Sequence, residues 1–293
     1  MVKKVDWIGI AQQTVIIVGL ILFLAGVPST ISMSENRDAI EWHPENLPKI
    51  YGEFFKTISS GTLGTYQVGQ YERNIADDIG DNIMTSLKIM VIGVNAGILF
   101  SILFGIFISR FRPTRFFNQV LNILAAIPDF ILIIVGLILA VKFYKVTGIR
   151  IISLRPDTGA LNIWFPTLLL SLAPTLYLFK LVSLKYFQTS GEDYIRTAVA
   201  KGLKVHYINM QHAFKNVEPF ILAELTKIIS LAIGNLFIIE YLLNVSGITK
   251  FIFQNGGVQT IAVGLFSMLI ISLIVYLSIR VLLYLFKRCF IHE

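Results

Sequence analysis

Apolar residues along this chain come in blocks of about 20, long enough for one helix to cross a hydrocarbon layer about 30 Å thick. The blocks are Ile8 to Val27, Ser86 to Ser109, Gln119 to Val141, Ile163 to about Leu184, Phe220 to Leu243 and Thr260 to Phe286. This pattern predicts an all-α, polytopic membrane protein with about six transmembrane helices. Two polar stretches interrupt it at length, Pro28 to Thr85 and Ser190 to Asn216. The expected organisation is an N-terminal transmembrane helix (1–28), an extracytoplasmic loop region (29–85), and a core of five spans (86–293). The core includes the polar loop 190–216 between spans four and five.

The first polar stretch is acidic, with Glu35, Asp38, Glu41, Glu45, Glu53, Glu72, Asp77, Asp78 and Asp81. Within it Pro48 marks a helix start, Gly61 a stop, and Ile50, Tyr51, Phe54, Phe55 and Ile58 an apolar stripe, so a short amphipathic helix is expected there. It either packs locally or presents a docking surface. In the second stretch, Ser190 and Asp193 have the spacing of a capping box, and Glu192 with Asp193 places negative charge in a first helical turn. That helix should close near Lys201, because Gly202 can take the left-handed conformation; a second helix should run from about Val205 to Asn216, with Pro219 marking the approach to the next span. Its basic residues Arg196, Lys201, Lys204 and Lys215 keep the pair out of the bilayer. Its apolar residues, Tyr194, Ile195, Val199, Leu203 and Phe214 among them, require a surface to dock against. Two readings stand: a docking surface for another protein, or an interfacial helix lying on the headgroups.

Composition agrees with the pattern. Hydrophobic residues make up 55% of the chain, mean hydropathy is +0.72, and charged residues reach only 15%, against about 25% in soluble domains. The net charge of +7 is accounted for by loops facing an anionic leaflet, so nucleic acid is not required as a partner. Lys3, Lys4, Arg110, Arg112, Arg115, Arg196, Lys201, Lys204, Lys215, Lys287 and Arg288 fall on one side of the predicted membrane. This puts both termini in the cytoplasm; Lys142, Lys145, Arg150 and Arg155 go against it. The first span, with "LAGV" at Leu24 to Val27 and no cleavage signal, is expected to be retained. Cys289 is the single cysteine, which excludes an intrachain disulfide and a thiolate metal cage.

Ionisable residues inside spans are functional candidates. Lys88, Asp129, Glu224, Lys227 and Glu240 qualify. Glu224 and Lys227 have the spacing to neutralise each other on one helix face. Lys88 and Glu240 stand near span ends, from which they can snorkel. Asp129, after Pro128, is the deepest of the five, and Asn95 and Asn235 are candidate interhelical hydrogen-bond partners. Asn95, Asp129, Asn235 and Glu240 are therefore the candidates for a translocation pathway. The histidines (His43, His206, His212, His292) all fall outside the spans, and no H-E-x-x-H or G-x-S-x-G occurs, so neither a metal site nor an intramembrane enzyme is expected. No inverted repeat or pair of broken helices points to an ion-driven transporter or channel, which stays as an alternative.

The run "EDYIRTAVAKGL" (Glu192 to Leu203) followed by "QHAFKN" (Gln211 to Asn216) resembles the cytoplasmic loop of membrane subunits of binding-protein-dependent ABC importers, in the oligopeptide, dipeptide and nickel permease family. "SSGTLGTY" (Ser59 to Tyr66) is similar to that family's first outer loop. "FIIEYLLNVSGITKF" (Phe237 to Phe251) is similar to a later segment, keeping Glu240, Gly247 and Ile248. Departures fall mostly on the outer side: Ser246 replaces a proline, Asn244 stands where glycine is common, and Pro219 falls one position early. The resemblance implies that Glu192, Asp193, Tyr194, Arg196, Thr197, Ala198, Lys201, Gly202 and Leu203 couple the chain to an ATPase. On that reading Arg196 and Lys201 are available for carboxylates on the partner, and Tyr194 and Leu203 are candidate anchors in its groove. The chain has no G-x-x-x-x-G-K-[ST], so ATP and Mg belong to a separate ATPase chain and none is a cofactor here. A second related permease, a solute-binding protein outside the cell, lipid, and a bacterial plasma membrane complete the implied setting. A divergent, non-transporting permease-like subunit is the other reading that these departures leave open.

Overall fold

The computed structural model describes residues 7–33, 40–108, 114–155 and 159–290. Lys3, Lys4, Glu35, Asp38, Arg110, Arg112 and His292 lie outside the described residues, as does the side chain of Arg115. In chain order the elements are α1 (Trp7–Gly26), a hairpin of β1 (Ile31–Met33) and β2 (Ile40–Trp42), and α2 (Leu47–Ser59). A second hairpin, β3 (Thr65–Val68) with β4 (Tyr71–Asn74), leads into α3 (Ile75–Ile102) and a π-helical turn, Leu103–Ile108. Next come α4 (Thr114–Leu124), α5 (Asp129–Thr147), α6 (Ala160–Ser190), α7 (Asp193–Ala200) and α8 (Val205–Ile208). A π-helical stretch, Asn209–Phe214, joins α8 to α9 (Lys215–Ala223), and α10 (Leu225–Leu242), α11 (Ile248–Gln254) and α12 (Val258–Phe290) follow. Among the described residues six helices are long and apolar enough to cross a membrane, namely α1, α3, α5, α6, α10 and α12. The all-α polytopic expectation therefore holds.

The chain divides into two compact units, Met1–Met84 with Ser246–Ile270, and Thr85–Val245 with Ile271–Glu293. In the first, α2 forms where Pro48 and the apolar stripe predict it, and Tyr51 donates its hydroxyl to the Leu22 carbonyl of α1 at 3.1 Å. Only part of the stripe is covered: Phe54 is 5% exposed, whereas Phe55 is 55% exposed. The acidic loop is shorter than expected, because α3 already starts at Ile75 and Asp77 and Asp78 become its first turn, where they complement the helix dipole. The hairpins were not legible as strands. β3 and β4 are joined by Gly69 and Gln70, with Gly69 at φ +64°, a two-residue loop of the type that matches strand twist.

In the second unit α6 is central, packing on α10, α5, α9 and the Leu103–Ile108 turn. Close approach of α3 and α6 depends on two glycines one helical turn apart. A Cβ at Gly93 would lie 3.0 Å from the Thr167 carbonyl, and one at Gly97 would lie 3.0 Å from the Ser171 carbonyl. With no apolar driving force between helices in lipid, this backbone proximity supplies the packing. Ser101 adds a hydrogen bond to the Thr175 carbonyl at 2.9 Å.

Two predicted spans are corrected. The block Gln119 to Val141 is not one helix: α4 ends at Leu124 and α5 begins at Asp129. Pro128 has no N–H to give and drives Ile127 away from helical backbone, so the helix stops before it. The block from Phe220 also breaks, at Glu224, between α9 and α10.

Candidate functional site

The polar loop folds as the Gly202 turn demands. Gly202 has φ +73°, its N–H donates to Val199 O at 2.9 Å, and the Leu203 N–H donates to Ala198 O at 3.2 Å. These two bonds are the Schellman pattern, which satisfies the last carbonyls of α7. No heavy atom lies within 4 Å of a Cβ built on Gly202, so conformation and not space selects glycine there. The helix start differs from expectation: Ser190 is the last residue of α6 and donates its hydroxyl back to Tyr186 O, and Glu192 is the residue preceding α7. Because α6 runs on to Ser190, its hydroxyl is taken up by the preceding turn and the capping box does not form.

α7 is sided. Ile195, Ala198 and Ile208 form a buried apolar cluster that seats it, while Glu192, Asp193, Tyr194, Arg196, Thr197, Lys201, Gly202 and Leu203 are exposed. Ala198, expected on the coupling surface, lies beneath it: at 5% exposure it is a contact within the protein. Arg196 lies 3.6 Å from Asp193, an exposed pair one turn apart and a weak one. Asn216 Nδ2 donates to the Tyr194 hydroxyl at 2.9 Å and to His212 O at 2.8 Å, and the Tyr194 and His212 rings are 6.5 Å apart. Burial, and next the Glu192 carboxylate, raise the Tyr194 pKa above its ordinary value, so the phenol stays neutral.

The second helix of the pair does not stop at Asn216. From Val205 the chain stays helical to Ala223 through the Asn209–Phe214 π turn, and Pro219 lies inside α9. This helix is anchored in the core. Phe214 is fully buried with its ring 5.0 Å from that of Phe286, and Tyr186 donates to Asn209 Oδ1 at 2.9 Å.

The four candidate pathway residues do not form one cluster; they link three different pairs of helices, Asn235 and Asp129 sharing one. Asn95 on α3 donates to Ser278 on α12 at 2.9 Å, and its Oδ1 is buried with no hydrogen-bond partner among the described residues. Asn235 on α10 donates to Asp129 Oδ2 at 3.4 Å, at the long limit for a hydrogen bond. Asp129 is the first residue of α5, at a helix start and not deep within a helix. Glu240 does not snorkel: it is completely buried and accepts a hydrogen bond from Ser86. Lys88 is exposed, as snorkelling requires.

Glu224 and Lys227 make no direct pair but converge on Tyr177, which donates its hydroxyl to Glu224 while the Lys227 Nζ lies 4.4 Å from its ring centroid. Sequence reading missed Tyr177 and Lys180. The rule that flags ionisable residues within spans selects Lys180, which stands in the interior of α6. Asn244, where the family resemblance expects glycine, has φ +55° and is the sole non-glycine with positive φ among the described residues. The Val245 N–H donates to Glu240 O at 3.0 Å across it, so Asn closes α10 as Gly202 closes α7.

A family model described as binding-protein-dependent transport system inner membrane component matches residues 97–290. A peptide permease protein of Brucella suis biovar 1 is 23% identical over 210 residues, which cover 69% of this chain and 65% of that protein's length. The glutathione transport system permease protein of Escherichia coli strain K12 is 23% identical over 260 residues, covering 83% of this chain and 82% of its own. The matched residues take in the end of α3, the Gly202 turn and every later span, and the chain belongs to the family of binding-protein-dependent transport system inner membrane components.

Proposed function

We propose that this chain is one half of the membrane channel of an ATP-driven importer for peptides or related small solutes, pairing with a second permease. The exposed face of α7 and the Gly202 turn meet a separate cytoplasmic ATPase, which binds ATP and Mg. A solute-binding protein delivers cargo from outside a bacterial plasma membrane, and both termini are cytoplasmic. The named relatives, a peptide permease and a glutathione permease, support the cargo class.

The observation that carries the reading is the sidedness of α7. Ile195 and Ala198 are used internally, yet Tyr194 and Leu203, both apolar-bodied, remain 42% and 38% exposed beside Arg196 and Lys201. An interfacial helix lying on lipid would present its apolar face downward and its charges up. Here the apolar face is already covered by protein, and the free face mixes aromatic, aliphatic and cationic groups, the composition of a protein interface.

ATPase coupling is tested by purifying the complex in mild detergent. A nucleotide-binding chain should co-purify, and ATP hydrolysis should require it. Hydrolysis by this chain alone, or a complex with no ATPase, overturns the reading.

A further inference from the structure

A groove of about 500 Å³ opens between α5, α6 and α10, within the second unit. Its walls include Leu176 and Leu231, and four polar residues line it: Asp129, Tyr177, Lys180 and Lys227. Lys180 lies ten residues before Ser190, the last residue of α6, or about 15 Å along the axis at 1.5 Å per residue. Both lysines are exposed, and none of the ion pairs among the described residues includes Lys180, Lys227 or Asp129. Lys227 is held over the Tyr177 ring, which positions its ammonium; the Tyr177 hydroxyl donates to Glu224, a carboxylate that does not line the groove.

Hydrocarbon does not solvate such groups. Ionisable side chains within spans face a bundle interior or a water-filled cavity, and two ammonium groups and a carboxylate on one groove make a lipid-facing location untenable. The groove is therefore wet when the importer is assembled. Its chemistry is specific: two cations and one carboxylate, with leucine side chains among them. A solute carrying a carboxylate, an ammonium group and an apolar body is complementary to it, and a short zwitterionic peptide is such a solute.

We propose that this groove is a solute-binding station on the translocation pathway, where Lys180 and Lys227 take the carboxylate of a short zwitterionic solute and Asp129 takes its ammonium group. The proposal rests on the importer reading above and adds the contacts by which cargo is held within the membrane.

The test compares uptake of trialanine and of its C-terminal amide by the complete complex in proteoliposomes. The wild-type complex should favour the free carboxylate by about tenfold, the scale of one charge-assisted hydrogen bond. A Lys180→Gln, Lys227→Gln variant should take up both peptides equally, and a Lys180→Arg, Lys227→Arg variant should recover the preference. If the Gln variant keeps both its uptake and its preference, the station is refuted while the importer reading stands. A Gln variant that keeps the preference but loses a dependence on anionic lipid would place a phospholipid headgroup on the lysines, which equally refutes it. If the wild-type complex retains its ATPase but takes up neither peptide, the peptide cargo fails and the station with it.

Discussion

Asn216 donates its side-chain amide to the Tyr194 hydroxyl at 2.9 Å, joining residues at opposite ends of the helix pair across the Gly202 turn. The same amide reaches His212 O, and the His212 ring lies beside Tyr194. The first helix is thus tied to the second by its one exposed aromatic residue. Tyr194→Phe removes the acceptor but keeps the ring. Because the contact is exposed, its net worth is about 0.5–1.5 kcal/mol, so hydrogen exchange in α7 should rise about two- to tenfold while global stability stays near wild type. Unchanged exchange over Asp193–Ala200 would show that the bond does not hold α7.

Gly97 sets the distance between α3 and α6. Alanine there places a Cβ 3.0 Å from both the Ser171 carbonyl and the Thr175 hydroxyl oxygen, and backbone cannot move aside cheaply. Gly97→Ala should lower thermal stability in detergent by an amount corresponding to about 1–3 kcal/mol, whereas Gly234→Ala, whose Cβ meets nothing within 4 Å, should not. Equal melting temperatures for the two variants would remove the close-packing account.

Tyr66 donates to Asp78 at 2.6 Å, and Arg73 sits 3.3 Å from the same carboxylate. Burial, then the bond to Asp78, pushes the Tyr66 pKa up to about 12 from 10. A phenol whose pKa is raised on folding gives stability that is whole below about pH 10 and is lost as pH climbs towards 12. The difference in phenolate absorbance between wild type and Tyr66→Phe should therefore titrate near pH 12, and Asp78→Asn should bring that midpoint down. A midpoint near 10, the ordinary tyrosine value, would mean that the pocket is open to water.

Much of this architecture is legible because lipid enforces it: a span must be apolar for its whole length, so α1, α3, α5, α6, α10 and α12 can be read from hydropathy. Gly202 is legible too, since few residues other than glycine tolerate φ of +73° at a helix end. What escaped depends on contacts distant in sequence. Glu240 reads as a snorkelling residue until Ser86, on another helix, is seen to bond it inside the core. Ser190 reads as a cap, but α6 extends further than its apolar block and absorbs it. The β3–β4 hairpin is short and exposed, so no buried alternation marks it.

Membrane sidedness follows from the importer reading and can be checked directly. A cysteine at Lys56 in α2 should react with an impermeant thiol reagent in sealed cells, and one at Gly202 should react only after permeabilisation. External labelling at Gly202→Cys would invert the topology.

Coupling itself should fail at Gly202. Valine there forces a β-branched residue into a left-handed backbone, at a local cost of about 1–3 kcal/mol, and breaks the paired bonds from Gly202 and Leu203 back into α7. The α3–α6 packing and the buried Phe214 lie elsewhere, so membrane insertion and expression should stay near normal. Arg196→Glu leaves the turn intact but puts two carboxylates, at 193 and 196, one helical turn apart on the exposed face that carries Arg196 and Lys201. Both variants should lose ATPase during purification or hydrolyse ATP without moving solute, the first through shape and the second through charge. Raising salt should weaken ATPase retention in wild type more than in Arg196→Glu, since only wild type has that attraction to screen. Normal uptake with normal ATPase retention in both variants would mean that α7 is not the contact, and the coupling role would have to be sought on another surface.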